Sequence, residues 1–294
     1  MEMDKHNISV DELVRKFKEQ FQIVGRTDEI KKAILARLAN KHILIEGEVG
    51  VGKTILSRSL AEFFDQNFYR IDGDERFTEA KLVGYFDPPL VLKYGYKPES
   101  FFEGPLTSAM KNGGILFINE LNRLPERTQN VLLSSLDEGV LNIPKLGQIK
   151  AKPGFTVIAT QNPSEHVGVG LLGEAIRDRF VWIKLDYQSF NDEVEITRLR
   201  TGCTSNDLIK KAVQIIRMTR DSIQLRRGAS VRAAIDMVAI LSNINNGTNI
   251  SFKDWYDIAV MCLVPKIELE DGVEVSIEQI IKNIVSRVIK SDYP

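Results

Sequence analysis

Few residues of this sequence can bind metals or form disulfides. Among its 294 residues are two cysteines and three histidines. The cysteines, Cys203 and Cys262, are far apart and have no neighbouring histidines, so the spacing indicates neither a zinc motif nor a disulfide framework. We interpret both as buried thiols of a protein in a reducing cytosol.

An excess of charge and long apolar runs are also missing. The 39 basic and 40 acidic residues nearly cancel, so no global field would draw the chain onto nucleic acid or an anionic membrane. No run of about 18 apolar residues occurs, and the charged N-terminus lacks the apolar core of a signal peptide. We therefore expect a cytoplasmic protein with no membrane partner. Its 43% hydrophobic content is enough for a sizeable core.

Strand and helix patterns alternate over the first two thirds of the chain. Short apolar runs that predict buried strands lie at residues 42–46, 68–71, 115–118, 155–160 and 181–185. Segments of helical periodicity separate them, with Ser9 and Thr27 as predicted caps of the first two helices. A hairpin is expected around 141–154, and the stretch from 72 to about 104 predicts irregular structure. Such alternation predicts a parallel sheet covered by helices on both faces.

Helical patterns dominate the rest of the chain. From Asn191 onward, helices are predicted near residues 191–200, 206–220, 230–243, 251–262 and 276–289. The change of pattern indicates two domains. We predict an α/β domain over residues 1–188 and a smaller α-helical domain over 189–294.

The clearest motif directly follows the first predicted strand. The letters GEVGVGKT fit GxxxxGK[ST], in which glycines let backbone N–H groups turn toward phosphates at the start of a helix. Lys53 would reach the β and γ phosphates of a nucleotide, and the Thr54 hydroxyl would bind Mg²⁺. The predicted nucleotide ligands are Gly47, Glu48, Val49, Gly50, Val51, Gly52, Lys53 and Thr54.

Nucleotide hydrolysis also needs a carboxylate at the end of a neighbouring strand. The run at 115–118 leads into Asn119 and Glu120, and Glu120 is placed to orient or deprotonate water. Asn119 stands where this motif usually has Asp, and a neutral hydrogen bond to a metal-bound water is weaker than a charged one by about 1 kcal/mol. We therefore expect weakened Mg²⁺ handling at Asn119, with nucleotide binding retained. Asn162 ends a third strand and should face the same crevice.

Taken in order, several segments resemble the MoxR family of AAA+ ATPases, whose relatives include the NorQ/CbbQ proteins and the magnesium chelatase ATPase subunits. The resemblance covers roughly residues 20–240. It is carried by GEVGVGKT, FEGPL at 102–106, INELNR at 118–123, ATQNP, EAIRDRF at 174–180 and GASVRAA at 228–234. It implies a P-loop AAA+ sheet with an α-helical lid, and a ring, usually a hexamer, that binds ATP and Mg²⁺ between subunits.

The resemblance also implies roles for individual residues. Arg179 in DRF matches the arginine finger that one subunit inserts into its neighbour's site, and Arg177 is a nearby competitor for that role. Arg232 in GASVRAA matches the sensor 2 arginine at the start of a lid helix capped by Ser230. Val24 and Gly25 match the segment near the adenine base. The stretch between 81 and 104 matches the helix 2 insert, a surface or pore loop.

Three functions remain open on this sequence. The family resemblance implies an ATPase that remodels or matures a partner protein in trans, often a metalloenzyme or a protein with a von Willebrand factor A domain. A nucleic-acid translocase or helicase-like motor is the second, against which the near-neutral charge argues. The third is a slow nucleotide switch, suggested by Asn119.

Overall fold

The computed structural model describes residues 9–163, 172–244 and 249–290. The chain separates into two compact units. The first comprises the described residues up to Glu48 together with Gly52–Asp186. The second comprises Val49–Val51 and the described residues from Tyr187 onward.

A parallel sheet forms the centre of the first unit. The strands of this unit are β1 (His42–Gly47), β2 (Phe68–Asp72), β3 (Gly84–Phe86), β4 (Phe101–Glu103), β5 (Ile115–Asn119), β6 (Val140–Ile143), β7 (Gly147–Lys150), β8 (Thr156–Gln161) and β9 (Phe180–Leu185). Five of them form the sheet in the order β2-β5-β8-β1-β9, and all its neighbours run parallel. The apolar runs of β5 and β8 are buried along their length, as expected for strands covered on both faces. The predicted parallel sheet is confirmed.

Helices alternate with these strands. They are α1 (Val10–Phe21), α2 (Thr27–Leu38), α3 (Lys53–Phe63), α4 (Glu79–Val83), α5 (Pro88–Tyr94), α6 (Pro105–Asn112), α7 (Glu126–Asp137) and α8 (Glu174–Arg177). Ser9 caps α1 by accepting the Glu12 N–H. The predicted Thr27 cap of α2 is wrong: Arg26 occupies the cap position in a left-handed conformation without a side-chain cap bond. The Thr27 hydroxyl instead accepts a hydrogen bond from Lys18 Nζ at 2.9 Å.

The stretch between β2 and α6 is regular where irregular structure was expected. It folds as α4, an antiparallel β3–β4 pair and α5. Thr78 caps α4 and Asp87 caps α5, while the Tyr85 and Phe102 rings stack across the strand pair. The prediction failed because elements this short carry no periodic signal. The hairpin expected around 141–154 is present as the antiparallel β6–β7 pair.

The second unit is mainly helical. Its helices are α9 (Phe190–Thr201), α10 (Asn206–Arg220), α11 (Val231–Leu241), α12 (Phe252–Leu263) and α13 (Ile277–Lys290). They surround an apolar core with Trp255 and Cys262. The sequence did not predict a small antiparallel pair, β10 (Leu225–Arg227) with β11 (Glu268–Leu269). Cys203 and Cys262 are both free thiols. In the described ranges, no helix combines the length and the apolarity needed to cross a bilayer.

Candidate functional site

The carboxyl ends of neighbouring strands bring the predicted phosphate-side residues to one edge of the sheet. Glu46 of β1 pairs with Gln161 of β8, and Asp72 of β2 pairs with Asn119 of β5. Asn162 directly follows β8 and is buried. In an open parallel sheet this edge is where ligands bind. The structure therefore gathers the phosphate loop, Asn119, Glu120 and Asn162 along one edge.

The loop after β1 has the geometry of an anion cradle. Gly50 and Gly52 have φ values of 83° and 100°, a region that residues with a Cβ rarely adopt. A Cβ added at Gly52 would meet nothing within 4 Å, so there is room for a ligand beside the backbone. The helix α3 begins at Lys53, and its free N–H groups and dipole favour an anion. These features fit a bound phosphate.

Lys53 lies folded over this loop. Its Nζ donates to the carbonyl oxygens of Gly47, at 2.5 Å, and Glu48, at 3.0 Å. The ammonium charge thus lies beside the cradle. Thr54 follows in the first turn of α3 and is half-buried. Neighbouring Val49 is exposed and Val51 is buried.

Glu120 has a strained backbone and a local ion pair. Its φ is 58°, which is uncommon for a residue other than glycine and concentrates at functional sites. The Glu120 N–H donates to Thr160 Oγ1 at 2.9 Å, and the carboxylate accepts from Arg123 Nη1 at 2.8 Å. The half-exposed Arg123 guanidinium therefore occupies one oxygen of the Glu120 carboxylate.

Asn119 is held on both sides by residues that the sequence analysis missed. Its Nδ2 donates to Asp72 Oδ1 at 3.0 Å, and its Oδ1 accepts from Thr160 Oγ1 at 3.1 Å. A hydrogen bond from Arg70 is the main cause that lowers the pKa of Asp72, and the bond from Asn119 adds to it. The available signal was a polar residue directly after the apolar run 68–71, the position that Asn119 has in its own strand.

The predicted Mg²⁺ ligands are a hydroxyl and a carboxamide, Thr54 and Asn119. Among the residues that the structure describes, no three His, Cys, Asp or Glu side chains are grouped to hold a metal ion. Mg²⁺ that is bound through phosphates and waters needs only one or two protein ligands. The Thr54 hydroxyl at the start of α3 and the Asn119 carboxamide at the end of β5 fit that limited demand.

The two candidate finger arginines differ in their surroundings. Arg179 Nη2 pairs with Asp137 Oδ2 at 2.5 Å, and its Nη1 donates to the Ala175 carbonyl. Its Nε is buried without a partner in the described part of the chain. Arg177 is exposed at the end of α8. The predicted finger is therefore bound to its own subunit, whereas its competitor faces solvent.

Arg232 is exposed in the first turn of α11. Ser230 occupies the cap position of this helix, but its side chain makes no cap hydrogen bond, so that part of the prediction is wrong. The hydroxyl lies instead near Gly50 of the same unit, where an added Cβ would be 2.3 Å from Ser230 Oγ. This close approach is a second reason for glycine at that position.

The segment expected near the adenine base is a tight turn. Gly25 has φ 63° and Arg26 has φ 59°, while Val24 is half-buried. The Arg26 side chain has a structural role, because it donates to Glu29 Oε1 at 2.8 Å and to the Asp186 carbonyl at 2.5 Å.

Known proteins that are similar to this chain include a AAA domain family and an ATPase. The model of the AAA domain, dynein-related subfamily, matches residues 42–180. A Staphylococcus saprophyticus protein of unknown function is 31% identical over 67% of this chain and 77% of its own length. The gas vesicle ATPase GvpN1 of Halobacterium salinarum is 30% identical over 64% of this chain and 58% of its own. In fold, the Thermotoga maritima RuvB branch migration motor is similar, with a TM-score of 0.55 and 19% identity over 81% of this chain and 70% of its own.

Proposed function

This chain belongs to the AAA+ ATPases of MoxR type, and on that premise we propose that it couples ATP hydrolysis to the remodelling or maturation of a partner protein. The observation that carries the proposal is the glycine cradle before α3, with Glu120 at the end of a nearby strand on the same sheet edge. The near-neutral charge favours a protein client over nucleic acid.

Each residue of the sheet edge would have a distinct role toward ATP. The loop N–H groups and Lys53 would bind the phosphates, with the Lys53 ammonium exchanging the Gly47 and Glu48 carbonyls for phosphate oxygens. Thr54 and Asn119 would hold Mg²⁺, which neutralises phosphate charge when bound. Glu120 would orient the attacking water, and Asn162 would contact the phosphate side of that water. Val24 and Gly25 would offer backbone groups to the adenine.

We propose further that Arg179 acts in a neighbouring subunit of a ring, most simply a hexamer. A guanidinium beside the γ-phosphate stabilises the charge that develops during hydrolysis. In the isolated chain Asp137 holds Arg179, so the phosphate of the neighbour would have to displace this carboxylate. Arg232 would act as the lid's sensor of the γ-phosphate. Such coupling makes turnover depend on assembly.

The partner would act in trans, and a protein with a von Willebrand factor A domain or a metalloenzyme is the leading candidate, in the cytoplasm. The similarity to a gas vesicle ATPase supports the ATPase activity. The fold similarity to a branch migration motor keeps a nucleic-acid motor as the second candidate. ATPase activity that rises on adding DNA, and does not rise on adding protein clients, would reverse this ranking.

Exchanging the Glu120 carboxylate tests the hydrolytic assignment. Glu120→Gln should keep ATP binding and lower turnover at least about 100-fold, since general bases contribute that much or more. Glu138→Gln is the matched control, because Glu138 is an exposed acid at the end of α7. Steady-state phosphate release and nucleotide affinity are the measurements. Equal turnover in both variants would exclude Glu120 as the base.

The ring is tested by size and by the two arginines. Sedimentation with and without ATP should show a larger species with ATP. Arg179→Ala should abolish turnover while each subunit still binds ATP, and Arg177→Ala should retain it. The opposite pattern would assign the finger to Arg177, and normal turnover by a monomer would refute the intersubunit site.

A further inference from the structure

The side chains of Asp72 and Asn119 form an acid–amide pair across two neighbouring strands. They are register partners at the last positions of β2 and β5. Asn119 Nδ2 donates to Asp72 Oδ1 at 3.0 Å, and Arg70 Nη2 binds the same oxygen at 2.6 Å. An ionised carboxylate can only accept hydrogen bonds. The atom of Asn119 that faces Asp72 must therefore be the amide nitrogen.

This orientation fixes the direction of every bond that follows. With its nitrogen toward Asp72, Asn119 turns its Oδ1 toward Thr160, whose hydroxyl donates to it at 3.1 Å. A hydroxyl has one proton, so Thr160 Oγ1 has its lone pairs left to accept the Glu120 N–H at 2.9 Å. That bond holds Glu120 in its left-handed conformation. The charge of Asp72 is thus connected to the Glu120 backbone through two side chains.

The main chain directly after Asp72 contacts the backbone of Asn119 and Glu120. The Gly73 N–H donates to the Asn119 carbonyl at 2.7 Å. A Cβ added at Gly73 would lie 2.0 Å from the Glu120 carbonyl oxygen, far inside a van der Waals contact. Only glycine allows this approach, so the end of β2 packs directly against the backbone of residues 119–120.

We propose that Asp72 carries, one strand away, the carboxylate that position 119 lacks, and that the transposed pair positions Glu120 through Asn119 and Thr160. Asp72 is a positioning residue in this scheme, and the proposal rests on the proposed function in that Glu120 activates water. Asn119 is then the residue that its acidic neighbour requires. An Asp at both positions would set like charges directly opposite each other, which is destabilising in paired strands.

Swapping the two side chains between positions 72 and 119 tests the pair. Asn119→Asp alone should speed hydrogen exchange of the Glu120 amide about fivefold, from the like-charge pair, and Asp72→Asn alone about twofold, from the lost orientation of the amide. The double variant Asp72→Asn/Asn119→Asp restores an amide donor facing a carboxylate, and its exchange should return to within about twofold of wild type. Thr160→Val, which removes the acceptor, sets the upper limit.

The control is Asp74→Asn, which removes an acid from the same loop. Asp74 accepts from the Arg76 N–H. Substituting it should leave the hydrogen-exchange rate of the Glu120 amide unchanged. Melting temperatures of all variants show whether each is folded. The pair is overturned if the Glu120 amide of the double variant exchanges its hydrogen as fast as that of Asn119→Asp. It is also overturned if this amide exchanges in Asn119→Asp at the wild-type rate.

Turnover separates this proposal from the proposed function. Exchange at Glu120 is measured in the nucleotide-free chain, so it reports on positioning even when no hydrolysis occurs. Rescue of hydrogen exchange by the double variant is the expected result, and turnover is measured beside it because Asn119 is also a proposed Mg²⁺ ligand. Rescue of hydrogen exchange in a chain that binds but never hydrolyses ATP would support the pair and refute the proposed ATPase function. Rescue of neither overturns the pair.

Discussion

The two ends of the central sheet use polar residues in opposite ways. At the amino ends, Gln66 Nε2 donates to the carbonyls of Gly113 and Gly154, both at 2.7 Å. Arg37 Nη2 donates to the same Gly154 carbonyl at 3.2 Å. His42 Nδ1 accepts the Val157 N–H at 2.9 Å. These side chains connect the loops that lead into β1, β2, β5 and β8.

At the carboxyl ends, Lys53 and Glu120 are charged and partly exposed. Lys53 donates to carbonyls of its own loop, and Glu120 accepts from Arg123, whose side chain is 47% exposed. Such partners can be exchanged for a ligand at small cost. The polar groups of the amino ends are part of the framework, because releasing them would leave buried carbonyls unsatisfied. Polarity at a strand end therefore indicates function only where the partners can be replaced.

Removing the Lys53 ammonium should weaken nucleotide binding at the carboxyl ends of the strands and leave the stability of the fold unchanged. Lys53→Ala should weaken ATP binding about 100-fold, since charge-assisted bonds to phosphate are lost, and change the free energy of unfolding by less than about 1 kcal/mol. Isothermal titration and urea unfolding measure the two quantities. Lys16→Ala on α1 removes an exposed lysine as control. Unchanged affinity would contradict the phosphate role.

His42 should make the amino end sensitive to acid. Burial lowers its pKa from 6.5 to about 4, although a hydrogen bond with the Leu136 carbonyl opposes the shift. Between these values the unfolded chain binds a proton that the folded chain does not, so stability falls as pH drops through 6.5 toward 4. From pH 7 to pH 5 the loss should be about 2 kcal/mol.

The variant His42→Gln keeps a polar side chain that does not titrate. Its urea midpoint should change less over the same pH interval, because the proton uptake of the unfolded chain is gone. ATP affinity at pH 7 should match wild type in this variant. Equal pH slopes for both proteins would show that His42 is not the titrating group.

The sequence predicted the carboxyl edge far better than the amino edge. GEVGVGKT is contiguous, and its glycines and Lys53 act through backbone geometry that follows from the local sequence. Strands β1, β5 and β8 were found because buried parallel strands are continuous apolar runs. The edge that gathers Asn119, Glu120 and Asn162 followed from these runs and from the rule for parallel sheets, whereas the strand order β2-β5-β8-β1-β9 was not predicted.

Side-chain pairs that depend on register were out of reach. Asp72 and Asn119 are 47 positions apart, and nothing local indicates that they face each other. The Gln66 and Arg37 bonds also join distant loops. The pairing of Arg179 with Asp137 required the positions of α7 and α8. The Thr27 and Ser230 cap predictions failed because the chain before each helix, and not the residue type alone, decides where a hydroxyl points.

Truncating Gln66 should give the smallest effect and the one most specific to the amino end. Gln66→Ala removes a donor from the Gly113 carbonyl and an acceptor from Arg37 Nε, while the Gly154 carbonyl keeps Arg37 as donor. A loss of about 1 to 2 kcal/mol in the free energy of unfolding is expected, because one buried carbonyl is left without this partner. ATP affinity should not change.

Gln20→Ala, at an exposed position of α1, is the control for side-chain truncation. Urea unfolding measures the stability of each variant, and nucleotide titration measures its ATP affinity. If Gln66→Ala weakened ATP binding and left stability intact, the two ends of the sheet would not be independent, and the contrast between framework and replaceable partners would have to be abandoned.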